Sequence, residues 1–186
     1  MVPILSLWLP ILLSAVVVFV LSSIIHMMTP FHKGDMKQLP AEAEIMDALR
    51  KFTIPPGDYM MPRAGSMDAM KSPEFVEKMK RGPVAVMTVM PSGPMTLGPF
   101  LLQWFLFCIL VGVLAAYITG RALGPGAHYL QVFRFAGAVT FIAYSVAQIP
   151  QSIWYRRSWG TTVKHLVDGL IYGLFSAGVF GWLWPK

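Results

Sequence analysis

Cysteine is nearly absent. Cys108 is the only one, so no disulfide can close within the chain, and cysteine usage leaves the redox compartment open. Its place inside an apolar run reads as a packed thiol rather than a reactive one. Charge is scarce as well: Asp, Glu, Lys and Arg make up 13% of the residues, about half the usual share. No P-loop, GxSxG, HExxH or paired CxxC occurs, and no clustered His and Glu of the kind a zinc hydrolase needs. Ser66, Asp68 and a histidine could be called a triad only without regard to spacing. No RNA-recognition, helix-turn-helix or zinc-finger signature accompanies the net charge of +6. Catalysis and nucleic-acid binding therefore find no support, and no catalytic residue is assigned.

Apolar residues are abundant. They form 55% of the 186 residues, and the mean hydropathy is +0.58. Four segments are long enough to cross a bilayer as helices. The first runs from about Ile4 to Ile25 and is uncharged. It lacks a basic n-region and an A-x-A site, so it reads as a retained anchor rather than a signal peptide. The others are Phe100–Thr119, Leu130–Ile149 and Leu166–Trp184. The expected architecture is mainly α: a four-transmembrane-helix bundle with a small soluble α+β insert between helices one and two. The division is 1–25, 26–98 and 99–186.

Basic residues set the orientation. The insert carries nine of them, but it is long and nearly balanced by acids. The short connection with Arg156, Arg157 and Lys164 is the better witness. The positive-inside rule places the insert and this connection in the cytoplasm and both termini outside. Trp8, Trp182 and Trp184 mark one interface, Trp154 and Trp159 the other.

Within the insert, Pro40–Lys51 reads as a short amphipathic helix. Ser72 and Pro73 open a second helix that Gly82 closes. Tyr59–Met61 and Val84–Met90 are strand candidates. The stretch 83–99 is apolar and punctuated by Pro and Gly, so a re-entrant dip is the alternative there.

Small residues recur every four positions on two of the apolar segments. Gly169, Gly173, Ala177 and Gly181 line the last one, and Gly112, Ala116 and Gly120 continue Cys108 on the second. Such faces let helix backbones approach closely. They serve packing inside a bundle or docking of another subunit. Lys164 and Asp168 are spaced for an i,i+4 charge pair.

Two groups of residues suggest metal. Twelve of the thirteen methionines lie between Met27 and Met95. The spacings Met67-x-x-Met70 and Met87-x-x-Met90 offer soft ligands for copper, against the plainer reading of adaptable packing. His26 ends the first apolar segment and His165 begins the last. At one depth they offer a site for haem iron or another metal, to which His32 and Asp35 can add.

The strings Met28-Thr29-Pro30-Phe31-His32-Lys33, Gly57-Asp58-Tyr59-Met60, Gly120-Arg121-Ala122-Leu123-Gly124-Pro125-Gly126 and Ser152-Ile153-Trp154-Tyr155 resemble a group of small uncharacterised bacterial polytopic membrane proteins. The resemblance spans most of the chain and implies a bacterial inner membrane, with no activity or site residue. The leading expectation is a non-catalytic scaffold or accessory subunit, as a homo-oligomer or within a larger membrane complex. The alternatives are a small oligomeric carrier or channel and a haem- or copper-binding protein.

Overall fold

Four helices are long and apolar enough to cross a membrane: Ile4–Met28, Leu97–Ala122, Tyr129–Trp154 and Trp159–Trp182. They belong to a computed structural model that describes residues 1–186. Its elements are α1 (Trp8–Ser23), α2 (Glu42–Arg50), β1 (Gly57–Met61), α3 (Met67–Met70), α4 (Pro73–Arg81), β2 (Ala85–Val89), α5 (Leu97–Ala122), α6 (Tyr129–Ser145), α7 (Ile149–Trp154) and α8 (Trp159–Trp182). The chain divides into two compact units. Met1–Met36 and Thr96–Lys186 form one, Lys37–Met95 the other. Residues 26–36, expected in the insert, thus belong with the long helices.

Local chemistry sets the helix ends. A 3-10 turn, Ile4–Leu7, leads into α1, and a π-turn, Ile24–Met28, follows it. The hydroxyls of Ser22 and Ser23 both donate back to Phe19 O (2.9 and 2.8 Å), just before the helix widens. Pro150 sits in the first turn of α7, where its missing N–H is tolerated. A 3-10 turn, Val146–Gln148, joins α6 to α7, so this span runs on to Trp154 rather than ending at Ile149. The last helix starts seven residues before the expected Leu166, at Trp159 behind Ser158. Its first turns hold Thr161, Thr162, Lys164 and His165, which hide a helix start from hydropathy. The early start carries His165 into the helix and moves Asp168 from its first turn to its third.

The small residues are used in contacts between the long helices. Gly173 lies against Gly137 O and Phe141, so that a methyl group there would stand 3.1 Å from that carbonyl. A methyl on Gly169 would overlap the Ser145 side chain, and one on Gly181 would come within 2.6 Å of the Tyr129 ring. Ala177 is fully buried, 3.0 Å from where a Gly137 Cβ would stand. On α5, Gly112 faces Ile11 O, Ala116 is buried, and Gly120 accepts a hydrogen bond from Val2 N (2.8 Å). Half a turn away, Leu102, Leu106, Leu110 and Leu114 form an exposed apolar stripe. One face of α5 is shaped for close packing and the other for an apolar surrounding.

Of the five interfacial tryptophans expected, Trp8, Trp154, Trp159 and Trp182 are exposed. Trp184 is not. It is buried, and its indole N–H donates to Gly124 O (3.0 Å).

The 37–95 unit holds a two-stranded antiparallel sheet, with Tyr59 opposite Met87. The pairing of Ala85–Val89 makes a strand, not a re-entrant dip, of the first part of 83–99. Ser72 Oγ caps α4 by accepting from Phe75 N (3.2 Å), Pro73 fills the first turn and Gly82 ends it. No residue of this unit is fully buried, as its small size dictates.

Candidate functional site

Asp168 is the most enclosed acid in the chain, with its side chain 4% exposed. It sits three turns into α8, among groups from two other segments. His32 Nε2 lies 3.0 Å from Asp168 Oδ2, His165 Nδ1 3.7 Å and His26 Nε2 4.0 Å. Neither carboxylate oxygen accepts a hydrogen bond from the protein, and His32 Nε2 is off the angle for one. Burying a carboxylate without partners costs several kcal/mol, so the arrangement calls for a cation or a proton among these atoms.

The outer nitrogens define the inner ones. His26, in the π-turn, meets Ser22 O with Nδ1 at 3.0 Å. A carbonyl only accepts, so Nδ1 carries the hydrogen and the Nε2 of a neutral ring presents a lone pair. The same holds for His32, whose Nδ1 donates to Asp35 Oδ2 at 2.6 Å. Carboxylate or carbonyl support behind a histidine is the usual arrangement around a metal. His165 differs. Its Nε2 lies 3.2 Å from an Arg157 guanidinium nitrogen. Guanidinium only donates, so Nε2 accepts and the hydrogen of a neutral ring sits on Nδ1, facing Asp168.

Ring geometry limits the combinations. His26 and His32 are stacked, with centroids 4.2 Å apart and planes 6° from parallel. An ion between them would lie well out of both ring planes, away from both lone pairs. His26, His165 and Asp168 instead bring one ligand atom each within 4.8 Å of one another. Ligands on one tetrahedral ion at ordinary bond lengths stand roughly 3.3 Å apart, so small rotamer shifts suffice. His32, itself nearer to Asp168, stacks on His26 and limits how that ring can turn.

Asp35 completes the frame. Its Oδ1 accepts from Lys164 Nζ at 2.6 Å, and Lys164 also lies over the Phe31 ring at 5.5 Å. The Lys164 ammonium holds the Asp35 carboxyl below its ordinary range, against the opposing effect of burial. The expected Lys164–Asp168 pair is therefore corrected: once α8 packs beside residues 29–36, Lys164 takes Asp35, and Asp168 faces the histidines.

A cavity of about 260 Å³ opens beside the cluster, lined among others by His26, Trp104, Tyr144, His165, Asp168 and Tyr172. The buried Tyr172 hydroxyl, one turn on from Asp168, has no partner either. Trp104 Nε1–H donates to Ser22 Oγ (2.8 Å), tying α5 to α1 beside His26.

The methionine candidates lie in the other unit. Met67 and Met70 are exposed on α3. Met87 is in β2 and Met90 just beyond it, and three-residue spacing turns them to opposite faces of an extended strand. The sequence marked His26, His32 and His165 but missed Asp168 as their centre and Arg157 as a neighbour. The available signal was an acid inside an apolar segment, three residues after a histidine.

No protein-family model, no curated protein and no solved structure matches this chain.

Proposed function

We propose that this chain is a multi-pass membrane protein that binds a divalent first-row transition-metal ion, of the zinc class, through Asp168, His165 and His26. The observation that carries this reading is the buried, unpartnered Asp168 carboxylate with three histidine nitrogens 3.0–4.0 Å from one of its oxygens. Two imidazoles and a carboxylate suit zinc and its neighbours. A proton on His32 would engage one oxygen only. It would leave Oδ1 without a donor. Haem suits the site less well, because Asp168 Oδ2 lies 4.0 and 3.7 Å from the two nitrogens that would be axial, inside the footprint of the macrocycle. Copper held by methionine thioethers has less support, since the paired methionines are spread over α3 and the end of β2. A scaffold acting through small-residue faces also has less support, because those faces pack within the chain.

We place the protein in a bacterial cytoplasmic membrane with both termini outside. The basic residues Arg156, Arg157 and Lys164 then lie at the cytoplasmic end, where the metal site would meet cytosol.

Zinc binding by the purified protein and by Asp168→Asn tests the reading. The wild type is expected to bind one equivalent, and Asp168→Asn to bind it at least about tenfold more weakly, with an unchanged helical spectrum. Equal binding by the two proteins would overturn it.

A further inference from the structure

We infer that Arg157 controls loading of this site by holding His165 in the tautomer that cannot ligate. The inference rests on the metal reading above and adds a residue to it that lies outside the ligand set.

His165 is the ligand that cannot be replaced. The stacked rings of His26 and His32 do not serve one ion together, so a site with two imidazoles takes His165 with one of them. Its nitrogen nearest Asp168 is Nδ1. That atom must present a lone pair to bind an ion. The Arg157 contact at Nε2 requires the reverse, because an acceptor at Nε2 leaves the hydrogen on Nδ1. In the metal-free protein this turns an N–H toward the buried carboxylate, which is otherwise without donors.

Loading then has a defined course. The bond between Nδ1 and the ion forms. The Nδ1 hydrogen leaves, and Nε2 takes up a hydrogen, by exchange with solvent, so the ring's proton count is unchanged. The Arg157–Nε2 hydrogen bond breaks, because two donors would face each other there. Arg157 follows Arg156, which adopts a left-handed φ of 53° in the turn between α7 and α8. The Arg157 backbone N–H is held by Gln151 O at 3.3 Å. The side chain alone needs to swing out. Arg157 is thus a positioning residue that opposes the ion, and its removal favours binding.

Two measurements test this. In the first, ¹⁵N imidazole spectra of the metal-free protein at pH 8 report the His165 tautomer. The Nδ1–H form is expected in the wild type and a shift toward Nε2–H in Arg157→Met. A wild-type ring that is already mainly Nε2–H would overturn the inference. In the second, zinc affinity is compared among wild type, Arg157→Met and Arg157→Lys. Arg157→Met removes the donor at similar length and is expected to bind about tenfold more tightly, the equivalent of one charged hydrogen bond. Arg157→Lys keeps a donor and is expected to stay near wild type. Zinc binding with no gain in Arg157→Met overturns the role of Arg157 and leaves the metal site standing. No zinc binding by wild type and Arg157→Met alike overturns both.

Discussion

Lys164 Nζ and Asp35 Oδ1 meet at 2.6 Å across 129 residues of sequence. The bond ties the turn after α1 to the second turn of α8 and so holds His32, bonded to the same carboxylate, against Asp168. Lys164→Met would leave a largely enclosed carboxylate with His32 as its one remaining side-chain partner. We expect a loss of about 1–2 kcal/mol, read as a lower melting temperature in detergent. A Lys164→Met protein as stable as wild type would show that the bond does not hold this turn.

The same pair sets a pH dependence. Lys164 lowers the folded-state pKa of Asp35. The bond therefore stabilises fully above the unfolded carboxylate value, about 3.9, and fades as pH falls through the lower folded value. The melting difference between wild type and Asp35→Asn is expected to stay level from pH 8 to 5 and to shrink below about pH 4. A difference that widens on acidification would contradict this.

The contact between Gly169 of α8 and Ser145 of α6 offers a paired test. Gly169→Ala must push Ser145 aside, since the added methyl overlaps its side chain. We expect a cost of about 1–3 kcal/mol. Ser145→Gly in the same protein removes the obstacle and is expected to recover much of that loss. Gly98→Ala, whose new methyl meets nothing within 4 Å, serves as the neutral control. If the double variant is no more stable than Gly169→Ala alone, the overlap is not the cause.

How much of this was legible follows from the range of each force. Gly82 after Ser72-Pro73 marks α4 because capping is local, and the strands at 57–61 and 85–89 declare themselves by composition and by Pro and Gly at their edges. The apolar runs mark four spans for the same reason. The start of α8 was hidden, because Lys164 and His165 lower hydropathy while the backbone remains helical. The partner of Lys164 was hidden more deeply. Asp168 stands one turn along the same helix, whereas Asp35 comes close only through the fold. The histidines were visible as three residues of suitable chemistry. Their convergence depended on the π-turn at Ile24–Met28 and the early helix start, which no local pattern announces.

The cap on α4 gives an independent check on the 37–95 unit. Ser72 Oγ accepts from Phe75 N, and Ser72→Ala is expected to weaken the helix by about 1 kcal/mol. Amide exchange within 73–81 should quicken, while exchange in α6 stays the same. Unchanged exchange in 73–81 would show that the cap contributes nothing.

The ion and its ligands are the centre of the account, and X-ray absorption of the zinc-loaded protein reads them directly. We expect a first shell of nitrogen and oxygen only, at about 2.0–2.2 Å, with the outer-shell pattern of two imidazoles. Scattering from sulfur at about 2.3 Å, or a shell without imidazole, would contradict a site built on Asp168, His165 and His26.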